Sequence, residues 1–396
     1  MKTYKILLVL FGIVVTGCAD TERDYAVLHK KALVADLHSD TAMRMRRGFD
    51  FAQRDTTGHM DIPRLQEGGV DLQVFACFVS TDMPREECLP RVDEMIDSLR
   101  AQANRHPDKI AICRTASEAE QIISDGKIAA FIGIENGVAI NGDLANLQHF
   151  YDRGVRYLTL THTASSDWCI SSADTAPAFH GLTEFGRDVV RKMNQLGMIV
   201  DVSHASAEAV DEVLKITADP VIASHSCVHA ICPHDRNLTD DQIKAIARNG
   251  GVIGINFYSG YLSPGGLWNK ITDSIFAAHK AEVDSIEQVY QGNYGKQHEA
   301  MGPIFAEIGR AVGSLHINVA TVVDHIDHIV KLVGPDYVGL GSDFDGVFGL
   351  PQGLADCSMV PNITRELMAR GYSNKDIKKI LGGNFMRVFR QVCDRG

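Results

Sequence analysis

Residues 199–225 read IVDVSHASAEAVDEVLKITADPVIASH. Residues 199–203 and 221–224 are short apolar runs of strand length, rich in β-branched side chains. Between them, residues 207–216 carry a helix-like pattern. Strands alternating with helices are the signature of a parallel sheet. The two strands also finish alike, on Ser203-His204 and on Ser224-His225. A repeated Ser-His ending is a far less probable coincidence than either pair alone.

Outward from this unit, similar runs recur at residues 33–37, 72–78, 129–134, 157–161, 252–256 and 337–340. Residues 184–196 and 240–248 read as helices, the second behind Thr239 as N-cap. Eight strands with intervening helices predict an α/β fold, a TIM-like (β/α)8 barrel. The strand ends support closure. They carry His38 and Asp40, Glu135, His162, His204, His225 and Asp343. A barrel brings all strand C-terminal ends to one mouth, whereas an open doubly wound sheet does not. Residues 257–336 are too long for one connection and read as helical insertions beside that mouth, with helices near 284–290 and 304–312. His325 and His328, in a helix-like run over 322–333, read as a solvated or packed helix face.

Composition sets the outer bounds. With 45% hydrophobic and 22% charged residues, the chain is of the folded, soluble class. Lys2 and Lys5 precede an apolar run over residues 6–15 that only Gly12 interrupts. The run is too short for a membrane-spanning helix and fits a signal-peptide core. It ends in Val15-Thr16-Gly17-Cys18, the form of a bacterial lipobox. The expected division is a lipoprotein signal peptide over 1–17, a tether over 18–25 and one barrel domain over 26–396. Cys18 is then the lipidated first residue, which puts the protein in the bacterial cell envelope, on a membrane through its N-terminal lipid and facing outside the cytoplasm. Losing Lys2 and Lys5 takes the net charge from −11 to −13. An acidic surface argues against a nucleic-acid partner. The other cysteines, Cys77, Cys88, Cys113, Cys169, Cys227, Cys232, Cys357 and Cys393, show no regular framework spacing.

Several strand-end motifs carry chemistry. In Asp36-Leu37-His38-Ser39-Asp40, His38 and Asp40 sit two apart and point the same way from a strand, an imidazole and a carboxylate suited to zinc. In Ile134-Glu135-Asn136-Gly137, a carboxylate follows a buried strand, which is costly unless it is paired or metal-bound; its two oxygens allow it to bridge two cations. His204 and His225 are strand-end imidazoles, the commonest protein metal ligand. His162, in Thr159-Leu160-Thr161-His162, is open to reading as ligand, general base or oxyanion donor. Asp343, in Gly341-Ser342-Asp343-Phe344-Asp345-Gly346, reads either as a proton-shuttling acid/base or as a solvated turn aspartate. Cys227, His229, Cys232 and His234 crowd one loop, but their spacing fits no regular zinc pattern and they read as loop. Arg236, closing that loop, suits a carboxylate-ended substrate.

Taken in order, these segments resemble the renal or membrane dipeptidase family of zinc peptidases. The likeness runs from about Val34 to Val388 and includes Met60-Asp61-Ile62-Pro63-Arg64-Leu65, Arg236-Asn237 and Gly383-Asn384-Phe385. It implies two Zn2+ per chain. His38 and Asp40 match ligands of one zinc, His204 and His225 ligands of the other, and Glu135 the carboxylate bridging both. His162 matches the histidine that contacts substrate and stabilises the tetrahedral intermediate. Arg236 matches the arginine on the substrate carboxylate, and Asp343 the aspartate near the bridging water. Asp343, His162 and Glu135 are thus the expected catalytic set, with His162, Arg236 and Asp343 binding substrate. The implied activity is zinc-dependent hydrolysis of dipeptides by a metal-bridging hydroxide, with tolerance of a C-terminal D-residue. A TIM-like barrel of the metal-dependent hydrolase type with helical insertions, and a homodimeric assembly, also come with the resemblance. Ala164 stands where animal members carry a disulfide cysteine, so their disulfide pattern does not transfer. Two other readings stand beside this one: another amide or lactam hydrolase on the same barrel, and a non-catalytic ligand-binding lipoprotein. The presence of all five expected ligands argues against the second.

Overall fold

The computed structural model describes residues 25–291 and 294–395. Cys18, the signal segment 1–17 and all of the predicted tether except Tyr25 lie outside the described residues; Tyr25 already belongs to a helix that runs to residue 31.

Nine parallel strands form one sheet: β1 (Ala35–Asp36), β2 (Leu72–Phe78), β3 (Ile110–Cys113), β4 (Ile128–Glu135), β5 (Val155–Thr159), β6 (Ile199–Asp201), β7 (Ile222–Ala223), β8 (Val252–Ile255) and β9 (Val338–Leu340). β1 pairs with β2 and with β9, and β2 pairs with β4, so β1, β2 and β4 to β9 close into the predicted eight-stranded barrel. β3 is a strand the sequence reading did not identify. It runs beside the first half of β4, from Ile110 opposite Ile128 to Cys113 opposite Phe131. At Ile132/Gly133 the register shifts and β5 takes over that edge. Two of the four β3 residues are only half-buried, so it lacks the continuous apolar run that marks an inner strand.

Helices Glu184–Leu196, Ala207–Ile216 and Asp240–Arg248 fall where their patterns put them. Thr239 caps the last in a full capping box with Gln242. The barrel interior is filled by alternate strand residues, among them Val74, Phe131, Tyr157, Ile222 and Val252. The C-terminal helix Asn384–Cys393 closes it, setting Phe389 against Phe131 with ring centroids 4.9 Å apart. A second apolar layer lies between strands and surrounding helices. Gly341 permits a close approach at the mouth. A Cβ there would stand 1.9 Å from the Ser224 carbonyl oxygen and 3.1 Å from His225 Cα, so any larger residue would push β7 and β9 apart.

The predicted insertion contains Leu267–Ala278, Lys280–Val289, Tyr294–Ala300 and Gly302–Val312, then Val319–Val333. This last helix packs against Asp240–Arg248 and Pro361–Ala369, as a barrel helix does. His325 within it is buried, with Nδ1 accepting from Val228 N at 3.0 Å and Nε2 3.1 Å from the Leu262 carbonyl. His328 Nε2 lies 2.7 Å from Asp240 Oδ1. Both are packing histidines. The eight described cysteines are buried free thiols. Cys227 and Cys232 point to the carbonyls of Asn256 and Gly260, so their loop is held by main-chain contacts.

Candidate active site

The residues singled out at the strand ends meet at the barrel mouth. Glu135, last residue of β4, is 3% exposed and occupies the centre. Its Oε2 lies 3.6 Å from His38 Nε2, while Oε1 lies 3.1 Å from His204 Nε2 and 3.3 Å from His225 Nε2. One carboxylate thus turns its two oxygens to two different sets of imidazoles. Asp40 Oδ2 stands 3.8 Å from His38 Nε2. Three overlapping groups among the described residues have their ligand atoms within 4.8 Å of one another: His38 with Glu135 and His225, Glu135 with His162 and His204, and His38 with Asp40 and Asp343.

Hydrogen bonds fix which ring nitrogens face inward. Ser224 Oγ donates to Asp201 Oδ2 at 2.6 Å and lies 2.7 Å from His225 Nδ1. With the hydroxyl proton committed to Asp201, His225 Nδ1–H is the donor, which leaves the Nε2 lone pair for the site. Asp201 also accepts from Thr159 Oγ1 at 2.6 Å and from the amides of Ser203 and Ser224. One buried carboxylate therefore ties the ends of β5, β6 and β7 together. On the opposite side Asp36 does the same for β1, β2 and β9, accepting from Gln73 and from the amide and hydroxyl of Ser342. His38 Nδ1 meets Tyr157 Oη at 2.9 Å, and its buried Nε2 has no hydrogen-bond partner among the described residues. Asp201, Asp36 and Ser224 lie inside motifs quoted above without a role assigned to them; Tyr157 carried no signal at all.

His204 and Asp343 adopt left-handed backbone, at φ 68° and 63°. Such angles are uncommon away from glycine and cluster where function demands them. Asn256 Nδ2 donates to Asp343 Oδ2 at 2.8 Å, leaving Oδ1 facing the site. Gly346 is required here, because a Cβ would come within 2.0 Å of Asp40 Oδ2 and 2.5 Å of Asp343 Oδ1.

The electrostatics are those of a carboxylate-rich pit. Burial pulls His38 down, but Glu135, Asp40 and Asp343 together carry it up to about 10. Burial, then the Glu135 charge, holds Asp40 well above the usual carboxylate range. Burial opposes ionisation of Glu135, yet His38, His162, His204 and His225 hold it well below its ordinary value. Burial and then Arg236 keep His204 neutral, and burial and then His38 bring His225 down to about 4. Three carboxylates, a partnerless buried imidazole nitrogen and two neutral imidazoles suit a cation, since buried charge must be paired or metal-bound.

His162 sits at the rim, its side chain 26% exposed and Nε2 3.9 Å from Glu135 Oε1. Its Nδ1 lies 3.1 Å from Thr163 Oγ1 and its ring rests on Phe78. Burial and then Arg236 lower its pKa, leaving a neutral ring beside the reacting region. Arg236 is 6% exposed; Nη1 donates to Ser226 Oγ at 2.7 Å and Nη2 to the His225 carbonyl at 2.6 Å. Its buried Nε has no partner, an unspent charged donor of the kind that reads a carboxylate. Beside Arg236 and His204 opens a cavity of about 380 Å3.

The sequence model of the membrane dipeptidase family, peptidase family M19, matches residues 22–395. Dipeptidase 3 of Mus musculus is 31% identical over 381 residues, covering 94% of this chain and 66% of the relative. Dipeptidase 3 of Rattus norvegicus is also 31% identical, with 94% and 67% covered. The chain thus spans about two thirds of the length of these curated relatives. The crystal structure of the probable dipeptidase PvdM from Pseudomonas aeruginosa superposes with a TM-score of 0.81 at 27% identity, covering 96% of this chain and all of that one. A metallopeptidase from Rhodobacter sphaeroides, liganded with a phosphinate mimic of the dipeptide L-Ala-D-Ala, gives 0.74 at 25% identity, covering 91% and 99%.

Proposed function

The chain belongs to the membrane dipeptidase family, peptidase family M19, and from that premise we propose that it is a two-zinc dipeptidase accepting both L- and D-residues at the C-terminal position. The observation that carries the two-metal reading is the central carboxylate of Glu135, with one oxygen toward His38 and the other toward His204 and His225. His38 and Asp40 would hold one ion, His204 and His225 the other, and Glu135 both. When bound, such a pair lowers the pKa of a shared water so that hydroxide is available near neutral pH.

The chain's own side chains account for the rest. Arg236 takes the substrate's free α-carboxylate, a charge-assisted contact that selects short peptides. In this role the neutral His162 ring carries its proton on Nε2, with Nδ1 accepting from Thr163 Oγ1, and Nε2–H donates to the developing oxyanion. Asp343, steadied by Asn256 on one oxygen, receives the proton of the attacking water on the other and passes it to the leaving amine. Tolerance of a D-residue rests on the L-Ala-D-Ala mimic held by the R. sphaeroides relative.

The test is hydrolysis of L-Ala-L-Ala and L-Ala-D-Ala with zinc, after chelation and after zinc is restored. Cleavage of both that is lost on chelation and recovered with zinc is the expected result. Cleavage of neither with zinc present would refute the dipeptidase reading, and cleavage of the L,L form alone would refute the stereochemical part.

For location we propose an N-terminal lipid anchor on Cys18, on the lipobox-like run alone. Cys18→Ser should release the protein from the membrane fraction or leave its precursor unprocessed; unchanged fractionation and an unchanged mature N-terminus would contradict the anchor.

A further inference from the structure

The mechanism above uses His204 and Arg236, two residues of the cavity lining, and assigns nothing to the rest of it. The cavity is lined by residues from 170–181, 202–208 and 226–242, among them buried His204 and Arg236 and exposed His180, Glu208 and Asp235. Its volume of about 380 Å3 falls within the range of small-molecule sites, about 300–1,000 Å3. We propose that it is the subsite for the side chain of the substrate's C-terminal residue and that it selects a long cationic side chain, lysine or arginine. This rests on the dipeptidase reading, because it takes Arg236 as the anchor of the α-carboxylate.

Position gives the first argument. Arg236 lines the cavity and is itself buried, both its Nη atoms are engaged by Ser226 and the His225 carbonyl, and its buried Nε has no partner among the described residues. A residue whose carboxylate meets Arg236 carries its side chain on the adjoining Cα, two bonds from the carboxylate carbon and so beside the cavity that Arg236 lines. Charge gives the second. The lining includes Asp174, Glu208 and Asp235, and none of the three forms an ion pair among the described residues. Nearby Glu212, in contrast, is paired with Arg187 at 2.8 Å. The fixed cation in the lining is Arg236, whose charge the α-carboxylate neutralises. Asp174 is held in place by Ser165 Oγ at 2.6 Å and Ala176 N at 3.0 Å. Shape gives the third. Ile170, Val202 and Leu238 line the buried part, so an aliphatic stem lies on apolar surface while its charged head reaches the acidic rim, the arrangement long cationic side chains adopt.

The test compares kcat/KM of the zinc-loaded enzyme for L-Ala-L-Lys, L-Ala-L-Leu and L-Ala-L-Glu, at low and high salt. The expected order is Lys, Leu, Glu, with Lys over Glu by about 10-fold or more at low salt, the size that a few partly exposed charge contacts supply. Salt should narrow the gap by screening. In a triple variant Asp174→Asn, Glu208→Gln, Asp235→Asn, the Lys-to-Leu ratio should fall several-fold. A ratio near one, or inverted, in the wild type overturns the subsite while leaving the dipeptidase reading intact. A Lys preference that neither the triple variant nor salt reduces also overturns it. Failure to cleave any of the three overturns the dipeptidase reading, and the subsite with it.

Discussion

Glu135→Gln should strip metal and abolish turnover together. The substitution keeps the shape of the side chain but replaces one of its two acceptor oxygens with an amide that cannot accept. Whichever way that amide turns, it faces either His38 Nε2, 3.6 Å away in the native site, or the Nε2 atoms of His204 and His225 at 3.1 and 3.3 Å. It also removes the negative charge that the surrounding imidazoles were gathered around. Elemental analysis should show less metal per chain than wild type. The value of kcat/KM should fall by at least about 10³-fold, the order expected when one member of an interdependent catalytic set is lost. A Gln variant that keeps both its metal content and its activity would remove Glu135 from the centre of the account.

Arg236→Ala should have the second largest effect, and a selective one. Metal content should hold, since the Arg236 guanidinium is a cation with no lone pair to offer a metal and is engaged by Ser226 and the His225 carbonyl. Hydrolysis of free dipeptides should weaken by roughly 10- to 150-fold, corresponding to about 1.5–3 kcal/mol for a hydrogen bond to a charged group. A C-terminally amidated dipeptide, which has no carboxylate to lose, should be affected much less. Arg236→Lys should recover only part of the loss, because an ammonium cannot reproduce the planar, paired contact. Equal losses on free and amidated substrates would mean that Arg236 does not read the carboxylate.

The barrel was legible in the sequence because its strands are buried on both faces. Such strands read as continuous apolar runs, and the polar residue that ends each run stands out against them. Glu135, His204 and His225 were visible for that reason. β3 was not, because a strand outside the barrel with two half-buried residues has no such contrast. Asp201 and Asp36 lay in plain view within the motifs, but their work is to join three strands each. Those partners, Thr159 and Ser224 for one and Gln73 and Ser342 for the other, become neighbours only when the barrel closes. Tyr157 shows the same limit: nothing in Val155–Thr159 marks the residue whose hydroxyl meets His38 across 119 positions of chain. The insertion was placed as helical, yet the assignment of Val319–Val333 to the barrel wall depends on the helices it packs against. The cavity beside Arg236 joins two loops distant in sequence, and no local pattern announces it.

The claim on which the rest depends is the pair of ions bridged by Glu135. The direct measurement is a titration of the chelated, inactive enzyme with zinc, following L-Ala-L-Ala hydrolysis and bound metal in the same samples. The account predicts that activity reaches its plateau only at about two zinc ions per chain, as a two-metal site requires. A plateau at a single bound ion, or hydrolysis that persists in the metal-free protein, would contradict it.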